Sequence, residues 1–301
     1  MPIHAVPKPG SKKYRLVTDH SAGQFALNNM ISREDIAGVT LDNVQDLGNA
    51  LRHVRQENPD LDLILWKADV SEDYRRMPMH PPMADQAGCL LWLEAPCGSM
   101  QCLWGCASQR IWHAFMSLVL WVAVMKLLMH FLYLYVDDSF SAQKRGEMMF
   151  YKGYQKTLPS NLTRLLQLWD FIGLPHEGRK QVFGAELPII GFEVNPNLMR
   201  VPMSDESRLQ LITAVRDFAL HGTRRPLRDF QRIGGHLNWA LNVYPFLRPR
   251  LCALYAKTAG KLFQKALLWV NRDVERGVRL GDRPSASLRW HLLPLLCVLV
   301  L

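Results

Sequence analysis

An α+β fold of two subdomains is predicted by three observations: short apolar runs that end abruptly in carboxylates, longer segments with helical periodicity, and a length generous for one small core. The chain has 301 residues and 49% hydrophobic content, enough to bury a large interior. No internal repeat or low-complexity tract interrupts it, and turn chemistry such as Pro7-Lys8-Pro9-Gly10 and Asn195-Pro196-Asn197 supplies the punctuation.

Taken in order, Ile3 to Val6 and Tyr14 to Val17 predict a hairpin with a basic tip. Leu61 to Trp66 is a compact apolar run closing in Lys67-Ala68-Asp69, which predicts a core strand delivering Asp69 at its end. Ile111 to Leu128 is helix-like. Phe131 to Val136 predicts another buried strand, with Asp137-Asp138 in the turn and Ser139 to Ala142 returning. Ser204 caps a helix with Asp205 and Glu206 in its first turn; Leu209, Ile212, Val215 and Phe218 recur at helical spacing until Gly222. Pro226 opens a second helix, striped by Leu227, Phe230, Ile233, Leu237, Leu241 and Tyr244 and ended by Pro245. Arg224, Arg225, Arg228 and Arg232 crowd its first half.

Charge is distributed unevenly. The chain carries 36 Lys and Arg against 27 Asp and Glu, a net +9 with a pI near 9.4. Met1 to Met203 holds 20 of each sign, so the whole excess lies between Ser204 and Leu301. A neutral body joined to a basic arm predicts a polyanionic partner gripped through its phosphates.

Six cysteines without a signal peptide predict a reduced, intracellular protein rather than a disulfide scaffold. Cys97, Cys102, Cys106 and His113 match none of the common zinc spacings. Leu118 to Tyr135 is long enough to span a bilayer, but Lys126, His130 and the acidic pair after it favour a buried helix running into a core strand. Leu292 to Leu301 is too short to span. No membrane association is expected.

Carboxylates at adjoining strand ends suit chemistry that needs hard divalent cations. Asp69, Asp137 and Asp138 are placed to supply such a set.

Tyr135-Val136-Asp137-Asp138 resembles the YxDD signature of retroelement reverse transcriptases, and Asp69 through Arg75, with Tyr74 inside it, resembles their first catalytic motif. Upstream, Val6 to Asp19 followed by Leu27-Asn28 resembles the fingers motif of that family. There the resemblance gives Lys8 and Arg15 the triphosphate of the incoming nucleotide, a role that an ammonium and a bidentate guanidinium suit. Tyr74 falls where the family places an aromatic ring beneath the incoming sugar, which implies selection against a 2′-hydroxyl. Gly105 to Arg110, with Ser108, resembles the second motif, which contacts template and nucleotide. Lys180, in Gly178 to Gly184, resembles the lysine that protonates departing pyrophosphate. Ile189-Ile190-Gly191-Phe192 resembles the turn that holds the primer end, and Phe230 to Pro245 resembles the helical region after the palm in DIRS-type elements.

The resemblance runs from Ile3 to Lys265 and implies a right-hand polymerase: an α+β palm with an antiparallel sheet, partial fingers, and a helical thumb or connection. The corresponding boundaries are 1–56 for the fingers, 57–203 for the palm with a finger insertion around 78–107, 204–290 for the thumb or connection, and 291–301 for an apolar tail. It further implies two Mg2+ or Mn2+ ions on Asp69, Asp137 and Asp138, deoxynucleoside triphosphates as substrate, and an RNA or DNA template with its primer. Gly191, Phe192, Arg224, Arg225, Arg228 and Arg232 are the expected primer and template contacts.

Two departures stand out: Asp73 replaces the small residue usual before the gate aromatic, and Cys106 stands where a polar or basic residue is expected. The chain begins almost at the fingers motif, no second carboxylate set for ribonuclease H chemistry is seen between Lys265 and Leu301, and the apolar run of Ala286 to Leu301, with little turn or charge pattern, reads as a truncated or frameshifted edge. Two rivals therefore stay open: an inactive retroelement remnant that binds nucleic acid, and an RNA-templated RNA polymerase, against which Tyr74 argues.

Overall fold

The computed structural model describes residues 3–7, 12, 14–18, 34, 38, 40–71, 106–243 and 245–278. Packing divides the chain into two compact units, one of residues 1–42 and 66–183 and the other of residues 43–65 and 184–301.

In the first unit, β1 (Ile3–Pro7) and β2 (Tyr14–Thr18) form the expected antiparallel hairpin, with Val6 opposite Arg15. The central sheet has the order β4-β5-β3-β8, built from β3 (Leu63–Asp69), β4 (Tyr133–Tyr135), β5 (Asp138–Lys144) and β8 (Val182–Gly184). The chain passes from one unit to the other within β3. A second hairpin pairs β6 (Met148–Tyr151) with β7 (Lys156–Pro159).

Two helices cover this sheet's core. In α2 (Cys106–Leu127), Trp112, Met116, Val119 and Ala123 recur at helical spacing and are buried, while Leu118, Trp121 and Met125 on other faces are exposed. That helix is apolar on more than one face, which is why its sequence looked like a candidate span; among the described residues, no helix is long and apolar enough to cross a membrane. The other helix, α3 (Ser160–Phe171), buries Leu162, Leu165, Leu166 and Trp169 against Trp66, Ala68 and Leu134.

The strand expected over Phe131 to Val136 is shorter than the apolar run. Leu128 and Phe131 both lie at positive φ, 53° and 62°, so a tight turn consumes the start of the run and pairing begins only at Tyr133. Hydrophobicity marks burial here, whereas the backbone turn decides where the ladder can start.

The second unit begins with α1 (Val44–Glu57), started by a capping box in which Asn43 and Asp46 satisfy each other's backbone N–H groups. A short hairpin, β9 (Leu187–Ile189) and β10 (Phe192–Val194), turns through Ile190 and Gly191, both at positive φ. Helix α4 (Asp205–Phe218) starts at Ser204 as predicted, the Ser204 side chain accepting from the Ser207 N–H. Helix α5 (Leu227–Ala240) buries Leu227, Phe230, Ile233 and Leu237 of the predicted stripe but ends at Ala240 with Leu241 as its C-cap, short of the Pro245 expected to end it; Tyr244 lies outside the described residues. Phe218 of α4 meets Phe230 of α5 edge to face, 4.9 Å between centroids. Arg224 and Arg225 precede this helix rather than lying on it, in β11 (Arg224–Pro226), which pairs with β12 (Leu267–Trp269). The short helices α6 (Cys252–Thr258) and α7 (Arg272–Val278) complete the described part of the unit.

Candidate active site

The first unit's sheet brings the sequence-predicted carboxylates together. Asp69 is the last residue of β3, and β5, next to it in the sheet, starts at Asp138. Tyr135 pairs with Asp138, so Val136 and Asp137 form the two-residue loop of the β4-β5 hairpin. Val136 occupies φ 58°, a conformation that a β-branched residue adopts at a cost of about 1–3 kcal/mol. The surrounding packing holds it there, with Val136 itself buried in the core, and the turn sets Asp137 at the tip.

Two side chains, those of Gln181 and Lys180, grip the end of β3. Gln181 closes a two-way pair with the Asp69 backbone, its Oε1 accepting from Asp69 N at 3.3 Å and its Nε2 donating to Asp69 O at 3.0 Å. Lys180, at the end of a 3-10 turn over Gly178–Lys180, donates from Nζ to Asp69 Oδ1 at 3.0 Å and to Val70 O at 3.1 Å. Further along, Ser71 donates to Glu177 at 3.1 Å, and Val70 bridges His176. The segment carrying Lys180 is thus stitched to the residues that follow Asp69.

That segment rests on a small polar cluster. Tyr151 donates to Asp170 Oδ2 at 2.7 Å, His176 Nε2 lies 3.1 Å from Asp170 Oδ1, and Tyr154 bonds to His176 Nδ1. Burial and the Asp170 charge push the Tyr151 hydroxyl well above its ordinary pKa and that of Tyr154 up to about 12, so both stay protonated and able to donate.

The electrostatics of the acidic group are unusual. Burial raises the pKa of Asp69, opposed by the hydrogen bond and charge of Lys180, with Asp137 adding repulsion. Burial likewise raises that of Asp138, opposed by Lys67 and reinforced by Asp137 and Asp69. Lys67 Nζ sits 2.7 Å from Asp138 Oδ2. Asp137 makes no hydrogen bond or ion pair among the described residues. The site therefore concentrates negative charge in partial burial and retains a demand for cations after two lysines have met part of it.

Carboxylate oxygens are the donors that Mg2+ and Mn2+ prefer, so the donor chemistry fits. The atoms are not gathered around a common point: among the described residues, no group of three His, Cys, Asp or Glu is arranged to hold a metal ion. Lys180 and Lys67 each engage one oxygen of a carboxylate, and a cation would have to share or displace them.

Other predicted residues are placed elsewhere or fall outside the description. Lys8 and Tyr74, with Asp73, lie outside the described residues. Arg15 lies on β2 and Ser108 in the first turns of α2, but their side chains lie outside the description, as does that of Cys106. His113, once a conceivable zinc ligand, is buried with Nε2 2.8 Å from Thr40 O, and burial lowers its pKa.

In the second unit, Gly191 is at φ 81°, and a Cβ there would meet Trp239 Cζ2 at 2.8 Å. Trp239 donates from Nε1 to Ile190 O at 3.2 Å and stacks on Phe192 at 4.7 Å between centroids. The predicted arginines part company: Arg224 lies 4.3 Å over the Trp269 ring, Arg225 donates to Asp217 O, and Arg228 and Arg232 are exposed on α5.

Lys67 and Gln181 were not singled out from sequence as members of the site. The signal for Lys67 was its place two residues before Asp69 on a strand, which puts both side chains on one face of the sheet. Gln181 stood next to Lys180, but nothing local marked its partner.

No protein-family model matches the chain, and no curated protein matches it. Among solved structures it is similar to a foamy viral protease-reverse transcriptase in complex with double-stranded DNA, at 17% identity and a TM-score of 0.51, covering 92% of this chain and 42% of that one. The likeness is one of fold. A structure of the foamy viral protease-reverse transcriptase with an RNA/DNA hybrid is 16% identical with a TM-score of 0.48, covering 92% of this chain and 32% of that one. The chain spans less than half the length of either. Its mixed helix and antiparallel-sheet fold resembles that of a reverse transcriptase.

Proposed function

We propose that the chain is the polymerase part of a retroelement reverse transcriptase, an RNA-directed DNA polymerase that adds deoxynucleotides to a primer 3′-end by two-metal nucleotidyl transfer. The observation that carries this reading is the position of Asp69, at the end of β3, beside the strained hairpin that presents Asp137 and Asp138. The motif order and the fold likeness support it.

Asp69 and Asp137 would hold the two divalent ions, with Asp138 beside them. When bound, such ions promote ionisation of the primer hydroxyl and neutralise the triphosphate. The chain's own groups do the rest. Gln181 fixes the backbone on which Asp69 stands, and the packed Val136 turn fixes the tip that carries Asp137. Lys180 holds a proton at Nζ that it can deliver to the departing pyrophosphate. Lys8 and Arg15 are assigned to the triphosphate, Ser108 to template and nucleotide, and Tyr74 to exclusion of a 2′-hydroxyl. Gly191 and Phe192 are assigned to the primer end, and the exposed Arg228 and Arg232, with Arg224, to phosphates of the template and primer. Arg225 belongs to the same sequence cluster, but its bond to Asp217 O supports a structural task.

A competing reading, nucleic-acid binding without chemistry, is favoured by one observation: lysines already engage Asp69 and Asp138. Extension of a DNA primer on an RNA template, with Mg2+ or Mn2+ and deoxynucleotides, separates the two. Extension by the wild type that is lost in Asp137→Asn is the expected result; salt-sensitive duplex binding with no extension under either metal would support the remnant instead.

A further inference from the structure

We propose that Lys67 is a built-in counter-cation of the acidic site, anchoring Asp138 in the metal-free protein and competing with divalent metal for the same cluster. The anchoring half stands on geometry alone; the competition half rests on the nucleotidyl-transfer reading.

Lys67 and Asp69 alternate with Ala68 along β3, so the ammonium and the carboxylate emerge on one face of the sheet. On the neighbouring strand β5, Asp138 meets Lys67 at 2.7 Å. Both side chains are only about a quarter exposed, 24% and 23%, so this is not a loose surface pair. A separate lysine, Lys180, serves Asp69 at 3.0 Å. The two lysines thus divide the carboxylates between them, one each, and leave Asp137 without either.

Removing one partner of a largely buried pair leaves the other charged, poorly solvated and, here, beside two more carboxylates. The folded chain then has to tolerate that repulsion or recruit another cation. A divalent ion offsets it best, so loss of Lys67 weakens the metal-free protein and strengthens its uptake of metal. Arg at the same place keeps the charge and preserves the anchor.

The test uses the full chain as wild type, Lys67→Met, Lys67→Arg, Asp138→Asn and the Lys67→Met/Asp138→Asn double variant. Melting is followed in EDTA, and Mn2+ binding is followed by calorimetry. Lys67→Met is expected to lower the melting temperature by several degrees, Lys67→Arg to restore most of it, and Lys67→Met to cost little once Asp138→Asn is present. Mn2+ affinity is expected to rise about tenfold in Lys67→Met, a difference of about 1.4 kcal/mol. Recovery of soluble Lys67→Met only in the Asp138→Asn background would support the anchor equally well. An equal loss of stability in both backgrounds would overturn the anchor, and unchanged Mn2+ affinity in Lys67→Met would overturn the competition. If neither wild type nor variant binds Mn2+, the competition and the nucleotidyl-transfer reading fall together, while the melting cycle still decides the anchor.

Discussion

The acidic residues of the first unit and the arginines around the start of α5 in the second each appear in the sequence as clusters of like charge, and folding treats them in opposite ways. Asp69, Asp137 and Asp138 come from two stretches of chain and converge at adjoining strand ends. The four arginines span nine positions and diverge: one lies over a tryptophan ring, one is turned onto a backbone carbonyl, and two face solvent. Like charges gather in partial burial only where paired lysines or bound cations offset the repulsion. Without that demand, each arginine takes whichever local partner or solvent is nearest.

Breaking the convergent cluster carries the largest expected effect. Asp137→Asn keeps the shape of the hairpin tip and removes its charge, so primer extension should fall by at least about 100-fold, while duplex binding measured by fluorescence anisotropy stays within error of wild type. Loss of binding alongside activity would mean that the acidic hairpin and the basic region are not separable functions.

The exposed arginines should act through salt. Replacing Arg228 and Arg232 together by Ala should reduce the slope of log affinity against log salt for duplex binding by roughly two, leaving the melting temperature unchanged. An unaltered slope would move the phosphate contacts away from this face of α5.

A pH effect sharpens the electrostatic side of the comparison. Burial raises the folded-state pKa of both Asp69 and Asp138 above 3.8, the ordinary value. The folded state therefore holds these protons more tightly than the unfolded chain. The resulting stability is fully present below 3.8 and is lost as pH rises through the raised folded values. In EDTA, Asp138→Asn should gain stability relative to wild type as pH rises above 3.8, with the difference levelling off once Asp138 is fully ionised. A difference of the opposite sign would mean that pairing with Lys67 outweighs burial.

The smallest effect belongs to the arginine that turned inward. Arg225→Ala removes the bond to Asp217 O and should cost about 1 kcal/mol of stability in denaturant unfolding, without altering the salt slope. A change in slope would return Arg225 to the phosphate-binding set.

The placement of the candidate site's carboxylates was legible because its signals are local. An apolar run ending in Asp69 and an aromatic strand running into Asp137-Asp138 are patterns of neighbouring residues, and both became strand ends. The cap at Ser204 and the stripe through Leu227, Phe230, Ile233 and Leu237 were legible for the same reason. The false start at Phe131 came from the same kind of reasoning: apolarity continued through a tight turn that only backbone angles reveal. The place of Arg224 and Arg225 also eluded a local reading, because β11 exists only through its pairing with β12, more than forty residues onward.

The sequence by itself determined the alternation of strands and helices, the cap at Ser204, and the delivery of carboxylates to strand ends, since periodicity and capping act over a few residues. Only the tertiary structure decided which cation meets which carboxylate. Gln181 and Lys180 reach Asp69 across separations of 112 and 111 residues, and Lys67 reaches Asp138 across a strand boundary. Such partners are chosen by which strands lie side by side, and that choice belongs to the packing of the whole sheet.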